Sequence, residues 1–390
     1  MRTPRGLLLA LVTLAVSADI IAYSIAVPVL PDIGRRFGAS PGTIGLLFAS
    51  FGVTLFLASI PMGAISDRAG RKRPMIAGLA ALTIATLAFA FADRLLWLFA
   101  ARLVQGAADA VTWVVGLALV ADLYGPGERG RMTGVVMSGA SFSYMIGPSI
   151  GGWLYDIGGL RLPFLVLAAF SAVTLLAWLF AELPKPAGHE DDQPPIRDVI
   201  RAPNVARCVA LVIVAASTLS MVEPIGSLYL SSLGVTPGRV GLVFGAGALT
   251  NSMLHPIYGR LADRFGARTM TVTGLIVCGA VLPLYALTWS FASALVLFVI
   301  QAAAISLPLT PSLAYMVDAV SQARGESHGV AYGVYNVAWA IGLLAGPAIG
   351  GYVYELLGFS QLILAWAPAV IVTTVVIARS GGNAAIAAAR

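Results

Sequence analysis

Long apolar stretches, each close to the length that crosses a lipid bilayer, follow one another along almost the whole of this chain. Crossing takes about 20 residues of helix, and only helices and closed barrels satisfy all their backbone hydrogen bonds inside lipid. A barrel would show segments of about 10 residues with alternating polarity, and this sequence has no such pattern. We therefore predict an all-α membrane protein with twelve transmembrane helices. The predicted spans are 7–30, 42–62, 74–92, 95–121, 131–155, 161–181, 205–232, 237–258, 269–288, 291–318, 328–354 and 359–378.

The composition excludes a soluble protein and does not indicate an enzyme. Apolar residues make up 58% of the chain and charged residues only 11%, whereas soluble domains carry about 25% charged residues. The sequence contains neither a P-loop for ATP nor a Gly-x-Ser-x-Gly nucleophile motif, and its three histidines are scattered. We therefore expect no enzymatic activity, no cofactor and no metal site.

The positive charges lie mainly on one side of the predicted topology. Of the 24 Lys and Arg residues, five lie on the other side and one lies inside a span. The rest fall in the terminal segments and in the loops after even-numbered spans, and basic loops of this kind remain in the cytoplasm. We therefore predict a cytoplasmic (inner) membrane location with both termini in the cytoplasm. The net charge of +6 then comes from basic loops on the cytoplasmic side of the lipid bilayer, and it does not require a nucleic-acid partner.

The longest polar stretch divides the chain into two equal sets of spans. It covers residues 182–204 and includes an acidic cluster and several prolines. We predict an N-terminal six-helix bundle at 1–181, a cytoplasmic linker at 182–204 and a C-terminal six-helix bundle at 205–390. We expect the protein to act as a monomer.

Short motifs repeat between the two halves at nearly constant spacing, which indicates two homologous bundles. Gly63, Asp67, Arg68 and Gly70 match Gly259, Asp263, Arg264 and Gly266 at an offset of 196 residues, and Gly147-Pro148 matches Gly346-Pro347 at an offset of 199.

The charged loop from Gly63 to Arg73 resembles the signature loop of the major facilitator superfamily of secondary transporters. The resemblance implies two pseudo-symmetric six-helix bundles, a substrate site between them near the membrane midplane, and alternating access by rocking. It also implies that the loop holds the halves together on the cytoplasmic side; plain anchoring at the membrane surface is the alternative. The loop residues assigned to gating are Gly63, Asp67, Arg68, Gly70, Arg71, Asp263 and Arg264.

The repeated Gly-Pro motif lies inside the fifth and eleventh spans. Small residues four positions apart let helix backbones approach closely, and proline favours a kink. The version at Gly147-Pro148 resembles the motif associated with antiporters among drug exporters, although Ser143 stands where that motif has glycine. We assign Gly147, Pro148, Gly346 and Pro347 to gating, with generic close packing as the alternative.

Ionisable side chains at four positions lie deep inside predicted spans, where a charge is costly. Asp19 lies in the first span and Glu223 in the seventh, and a carboxyl that binds either a proton or a cation is the simplest exchange device. A structural acid that is hydrogen-bonded to a neighbour is the alternative. Arg102 and Asp109 are seven residues apart, near one face of the fourth span. The Arg-x-x-Gln-Gly pattern resembles the helix-4 motif of proton-coupled facilitators. Asp109 is then either the partner of Arg102 or a second proton site, while a structural hydrogen-bond network around Arg102 is the alternative.

The surroundings of Asp19 and the stretch Met221-Val-Glu223-Pro224 resemble helices 1 and 7 of drug/proton antiporters, and are nearest to vesicular amine transporters. The resemblance implies proton-coupled export of lipophilic cationic drugs or amines. The sequence departs from it at Ser306, Asn336 and Phe51, which stand where those relatives have two acids and a lysine. The predicted substrate-binding residues are Asp19, Tyr23, Trp113, Phe142, Glu223, Tyr335, Asn336 and Trp339.

Two other functions remain open from the sequence. The first is proton-coupled export of neutral metabolites, such as sugars or amino-acid derivatives. The second is a sensor that has the same fold and does not transport. Two acids in the central spans favour neither of these alternatives. They favour exchange of protons for a cationic small molecule.

Overall fold

The computed structural model describes residues 3–183, 202–324 and 328–380, and these ranges form twelve long helices, which confirms the predicted fold class. The helices are α1 Arg5–Phe37, α2 Pro41–Ala69, α3 Lys72–Phe91, α4 Leu95–Leu123, α5 Pro126–Gly158, α6 Arg161–Phe180, α7 Pro203–Ser232, α8 Pro237–Phe265, α9 Ala267–Leu287, α10 Phe291–Arg324, α11 His328–Leu357 and α12 Phe359–Arg379. A 3-10 turn at Val27–Val29 interrupts α1, and another at Leu282–Leu287 ends α9.

Among the described residues, eleven helices are long and apolar enough to cross a membrane. The remaining one, α5, contains the span predicted at 131–155 and is rich in glycine and serine. The predicted linker at 182–204 falls mostly outside the described ranges, so the division into domains stays a prediction. The helices lie where the apolar stretches predict them.

Glycine and proline mark the helix ends in the same way in both halves. Both α2 and α8 begin with proline, whose missing N–H is not needed in the first turn of a helix. Gly70 and Gly266, at matched positions of the charged loops, have φ values of +76° and +88°. An L side chain is strained in this left-handed region, so glycine is required at these two positions.

The two halves pack by the same plan. In the N-terminal half α1 contacts α5, α2 contacts α4 and α3 contacts α6; in the C-terminal half the same pairings join α7 to α11, α8 to α10 and α9 to α12. Polar contacts repeat as well. Lys72 Nζ donates to the Leu179 carbonyl at 2.9 Å, and Arg268 Nη2 donates to the Ala378 carbonyl at 3.2 Å. A basic side chain thus satisfies the last turn of α6 and of α12, where carbonyls lack helical partners.

Because the number of long helices is even, the two ends of the described ranges, residues 3 and 380, lie on one face of the protein, here called the termini face. The bundles contact each other toward the opposite face. A Cβ built on Gly45 of α2 would lie 2.2 Å from the Pro347 carbonyl oxygen of α11, and one on Gly241 of α8 would lie 2.2 Å from the Pro148 carbonyl oxygen of α5. These two contacts obey the 196- and 199-residue offsets of the repeat.

Toward the termini face the same four helices show no such contact at their glycines. There, a Cβ on Gly63 of α2, Gly134 of α5, Gly259 of α8 or Gly333 of α11 would meet no atom of the other bundle within 4 Å among the described residues. The close glycine contacts between the bundles therefore lie toward the opposite face.

Candidate substrate and proton site

Glu223 of α7 joins the two bundles at the centre of the protein. Its side chain is 4% exposed, and its two carboxylate oxygens accept hydrogen bonds from the hydroxyls of Tyr23 in α1 and Tyr144 in α5. One turn further on, Ser227 Oγ donates to the Val27 carbonyl at 2.6 Å. The carboxylate therefore already accepts two hydrogen bonds from the other bundle, and a cation that bound it would compete with those two hydroxyls.

Asp19 of α1 is buried in the N-terminal bundle, with 0% exposure. In the part of the chain that the structure describes, neither of its carboxylate oxygens has a hydrogen-bond partner. The polar side chains that act on it electrostatically include Asp109 and Thr112 of α4, and Thr112 Oγ1 donates to the Asp109 carbonyl at 3.0 Å. Two carboxyl groups from neighbouring helices thus face each other in an apolar interior.

Arg102 of α4 is held by aromatic rings. Its side chain is 1% exposed, and its guanidinium carbon lies 4.4 Å from the ring centre of Phe48, 5.0 Å from that of Phe51 and 5.4 Å from that of Tyr23. Its Nη1 donates to Gln105 Oε1 at 3.2 Å, whereas Nε and Nη2 have no hydrogen-bond partner among the described residues. A guanidinium over ring faces is attracted by the ring quadrupoles, and desolvation strengthens the attraction.

The pairing of Arg102 with Asp109 that spacing along the helix allows is not formed in the structure. The charged partner of Asp109 across the helices is Asp19, and the guanidinium lies among rings instead. Tyr23 connects Arg102 to Glu223, because its ring lies under the guanidinium while its hydroxyl donates to the carboxylate. Arg102 and Glu223 therefore share one buried contact residue.

A cavity of about 50 Å³ adjoins Glu223 on its C-terminal side. Its walls are aromatic and polar, and the side chains that characterise it are Tyr144, Phe244, Asn251, Tyr285, Phe298 and Gln301. Gln301, the counterpart of Gln105, donates to the Cys278 carbonyl at 3.5 Å, and Phe298 occupies the place that Arg102 has in the other half. Ser306 donates to Asn251 Oδ1 beside this cavity. The C-terminal half of the site is therefore neutral except for Glu223.

The aromatic residues predicted from α11 take different places. Tyr335 and Trp339 stack with their ring centres 6.1 Å apart, and the Tyr335 hydroxyl lies 3.2 Å from Ser312 Oγ. Trp339 packs against the buried cores of both bundles, and Asn336 is half-buried on the same helix. Trp339 therefore lies at the bundle interface, whereas Glu223 bonds to residues of α1 and α5.

On α5 the structure brings Tyr144 to Glu223 and not the predicted Phe142. Phe142 is 56% exposed, and two residues along a helix correspond to opposite sides of it. On α4, Trp113 lies half-buried next to Asp109. Sequence reasoning missed Tyr144, Phe48 and the cavity residues because single aromatic residues in apolar spans carry no periodic signal.

The charged loop after α2 binds its own bundle in this structure. Arg71 donates to Asp122 Oδ2 at 2.8 Å, to Ser66 Oγ at 2.7 Å and to Asp67 Oδ1 at 2.5 Å. The loop therefore ties α2 to α4. The exposed residues Arg68, Asp263 and Arg264 form no ion pair with the other bundle within the described ranges. A loop that gates the termini face would lack contacts with the other bundle in a state that is open on that face.

Gly147 and Gly346 pack inside their own bundles, whereas the carbonyls of the prolines that follow face the other bundle. A Cβ on Gly147 would lie 2.0 Å from Ser24 Oγ in α1, and one on Gly346 would lie 2.2 Å from the Ser217 carbonyl oxygen in α7. The glycines of the motif thus let α5 pack closely on α1 and α11 pack closely on α7. The carbonyls of Pro148 and Pro347 lie at the bundle interface.

Comparisons with known proteins agree on the family. A family model described as the Major Facilitator Superfamily matches residues 12–225 and 208–381. A probable vesicular acetylcholine transporter-B of Danio rerio is 29% identical over 92% of this chain and 76% of its own length. The vesicular acetylcholine transporter of Rattus norvegicus is 29% identical, and the synaptic vesicular amine transporter of Mus musculus is 26% identical; each alignment covers 82% of this chain and 62% of the relative.

Solved structures share the fold. A bacterial homolog of the human lysosomal transporter Spinster, in an inward-facing and unoccupied conformation, has a TM-score of 0.79 and 18% identity over 97% of this chain and 96% of that one. A mutant of the nucleoside transporter NupG has a TM-score of 0.77 and 13% identity over 95% of this chain and 98% of that one.

Proposed function

Because this chain belongs to the Major Facilitator Superfamily, we propose that it is a proton-coupled antiporter that exports lipophilic cationic small molecules, drugs or amines, by alternating access. The observation that carries the proposal is the position of Glu223, a buried carboxylate of one bundle held by two tyrosine hydroxyls of the other. Any movement of the bundles relative to each other must change what this carboxylate binds.

The chemistry of the site favours a cationic amine. Glu223 supplies a negative charge, and Tyr144, Tyr285 and Phe298 supply aromatic surface around the adjoining cavity. An ammonium group is attracted both by a carboxylate and by ring faces. A neutral solute has no positive charge and would gain neither attraction. The names of the related acetylcholine and amine transporters support the same substrate class.

The proposed cycle begins in the state with the termini face open. By the positive-inside bias this face is cytoplasmic, the membrane is the cytoplasmic membrane and the charged loops gate the cytoplasmic side. The cargo displaces the tyrosine hydroxyls from Glu223 and takes the place of a proton, which leaves from Glu223 itself or from the acid pair Asp19 and Asp109. The bundles then rock, the opposite face opens, and an incoming proton replaces the cargo. Two acids of one bundle and one of the other thus couple proton and cargo.

Proton release on ligand binding is the direct test of this proposal. Adding an amine to detergent-solubilised protein in weak buffer is expected to release on the order of one proton per bound amine, since both compete for carboxylates. By linkage, amine affinity then rises up to about tenfold per pH unit. Calorimetry with a pH electrode measures both quantities.

Neutral sugars and amino-acid derivatives, tested in parallel, should bind without proton release. Amine binding with normal heat and no released proton would contradict direct competition, and binding of the neutral solutes alone would favour the neutral-metabolite exporter. Counterflow in proteoliposomes separates either transporter from a non-transporting sensor.

The proposal also assigns Arg102 to proton coupling and not to stability. In Arg102→Met, the loss of the ring contacts lowers the free energy of unfolding by about 2 kcal/mol. Removing a buried charge with unpaired donors raises the free energy of unfolding by a similar amount. We therefore expect a melting temperature close to that of the native protein, with amine counterflow retained and accumulation driven by a pH gradient lost. A large fall in melting temperature, with coupling intact in the surviving protein, would assign Arg102 to a structural network instead.

A further inference from the structure

We propose that Asp156 and Glu355 form two matched clasps, in which an acid of one bundle neutralises the first turn of a helix of the other, and that the clasps hold the face opposite the termini closed. Asp156 lies in the last turns of α5 and faces α8, and Glu355 lies in the last turns of α11 and faces α2. The inference rests on the proposed alternating-access cycle. It adds two residues that control which face is open.

The contact at Glu355 is a hydrogen bond between the bundles. The Gly42 N–H, in the first turn of α2, donates to Glu355 Oε2 at 2.9 Å. A Cβ on Gly42 would lie 2.6 Å from the same oxygen, so the carboxylate would have to shift if this residue carried a side chain. Free N–H groups and the helix dipole make the start of α2 a favourable place for a negative charge.

The contact at Asp156 lies at the matched place in the other half of the protein. A Cβ on Gly238, in the first turn of α8, would lie 2.1 Å from Asp156 Oδ2. The carboxylate therefore rests against the backbone of this turn. Gly42 and Gly238 differ by 196 positions and Asp156 and Glu355 by 199, the offsets that relate the two halves elsewhere.

Neither helix supplies a negative charge of its own. The first turns of α2 and α8 contain no acidic residue, and both begin with Pro-Gly, at Pro41 and Pro237. The charge that complements each helix start therefore comes from the opposite bundle. Such a contact exists only while the bundles touch on this face, and rocking must break both clasps together.

The test measures conformation in the absence of cargo and of a proton gradient. After replacement of the two buried cysteines, Cys208 and Cys278, spin labels are attached at Asp93→Cys and Trp289→Cys. These positions lie in loops of the opposite face, one on each bundle. Distances between the labels then report the fraction of molecules that are open on that face.

Glu355→Gln and Asp156→Asn are each expected to raise the ratio of open to closed molecules by about two- to fivefold, the size of one charge–dipole interaction, and the double variant by the product of the two. Glu355→Lys should open the face further than Glu355→Gln, because a cation repels the positive end of the helix. Glu128→Gln, which removes an exposed acid on the termini face, is the matched control.

An unchanged distance distribution in the double variant, with Lys and Gln at position 355 indistinguishable, would overturn the clasps. A variant that no longer elutes as a folded protein is replaced by Glu355→Asp, which keeps the charge but shortens its reach and should open the face to an intermediate degree. The outcome is independent of whether the cargo is an amine, so failure of the clasps and failure of the proposed exchange give different results.

Discussion

Replacing Glu223 by glutamine is expected to abolish exchange of amine for protons while the protein folds normally. The amide keeps the shape of the side chain and can accept from one tyrosine hydroxyl, Tyr23 or Tyr144, while donating to the other. It can neither bind a proton nor attract an ammonium ion by charge. Losing a buried charged partner of a cation costs about 2–5 kcal/mol, so amine uptake driven by a pH gradient in proteoliposomes should fall by at least about 30-fold.

Asp318→Asn, an exposed acid of α10, serves as the matched control and should transport normally. The expected melting temperature of Glu223→Gln is close to that of the native protein, because no hydrogen-bonding position is left empty. Proton-driven uptake at the native rate in this variant would remove the central residue of the proposed mechanism. The family and the fold would be unaffected.

Adding one methyl group at Gly45 is expected to force the opposite face open. The Cβ of alanine would lie 2.2 Å from the Pro347 carbonyl oxygen, a backbone atom that cannot rotate away. Alanine also favours the helix by about 1 kcal/mol, but this gain is local and leaves the overlap in place. Overpacking of a close contact costs about 1–3 kcal/mol, which corresponds to a shift of about 5- to 150-fold toward molecules with separated bundles.

Gly241→Ala should behave in the same way, because its Cβ would lie 2.2 Å from the Pro148 carbonyl oxygen in the matched contact. Gly134→Ala is the control, since a Cβ there meets nothing within 4 Å among the described residues. Distances between spin labels at positions 93 and 289 measure the shift, and uptake measures its consequence. A closed distance distribution together with a lower melting temperature would mean that the bundles yield internally and do not separate.

The positions of the helices and the repeat could be read from the sequence because both depend on local or periodic properties. A run of apolar residues long enough to cross a bilayer has one stable conformation in lipid, whatever its neighbours are. The offset between Asp67 and Asp263 reappears as matched loops and matched bundle contacts. Burial of Asp19 and Glu223 was likewise expected, because acids inside long apolar runs have few other places to lie.

The partners of those acids could not be read from the sequence. Tyr144, rather than Phe142, reaches Glu223 because of the rotation of α5 about its axis, and a sequence of evenly apolar residues does not specify that rotation. Spacing along α4 allowed an ion pair between Arg102 and Asp109. The structure places Arg102 among aromatic rings and Asp109 opposite Asp19, since α1 and α2 supply closer surfaces than the helix itself does.

The sequence by itself determined the family, the twelve crossings and the two-fold repeat, because membrane insertion selects for length and hydropathy one segment at a time. The tertiary structure alone decided which side chains share a hydrogen bond, toward which face the bundles make close contacts, and that Asp156 and Glu355 lie against helix starts of the other bundle. These features depend on how two rigid bundles meet. Contacts between residues 79 or more positions apart leave no pattern in the local sequence.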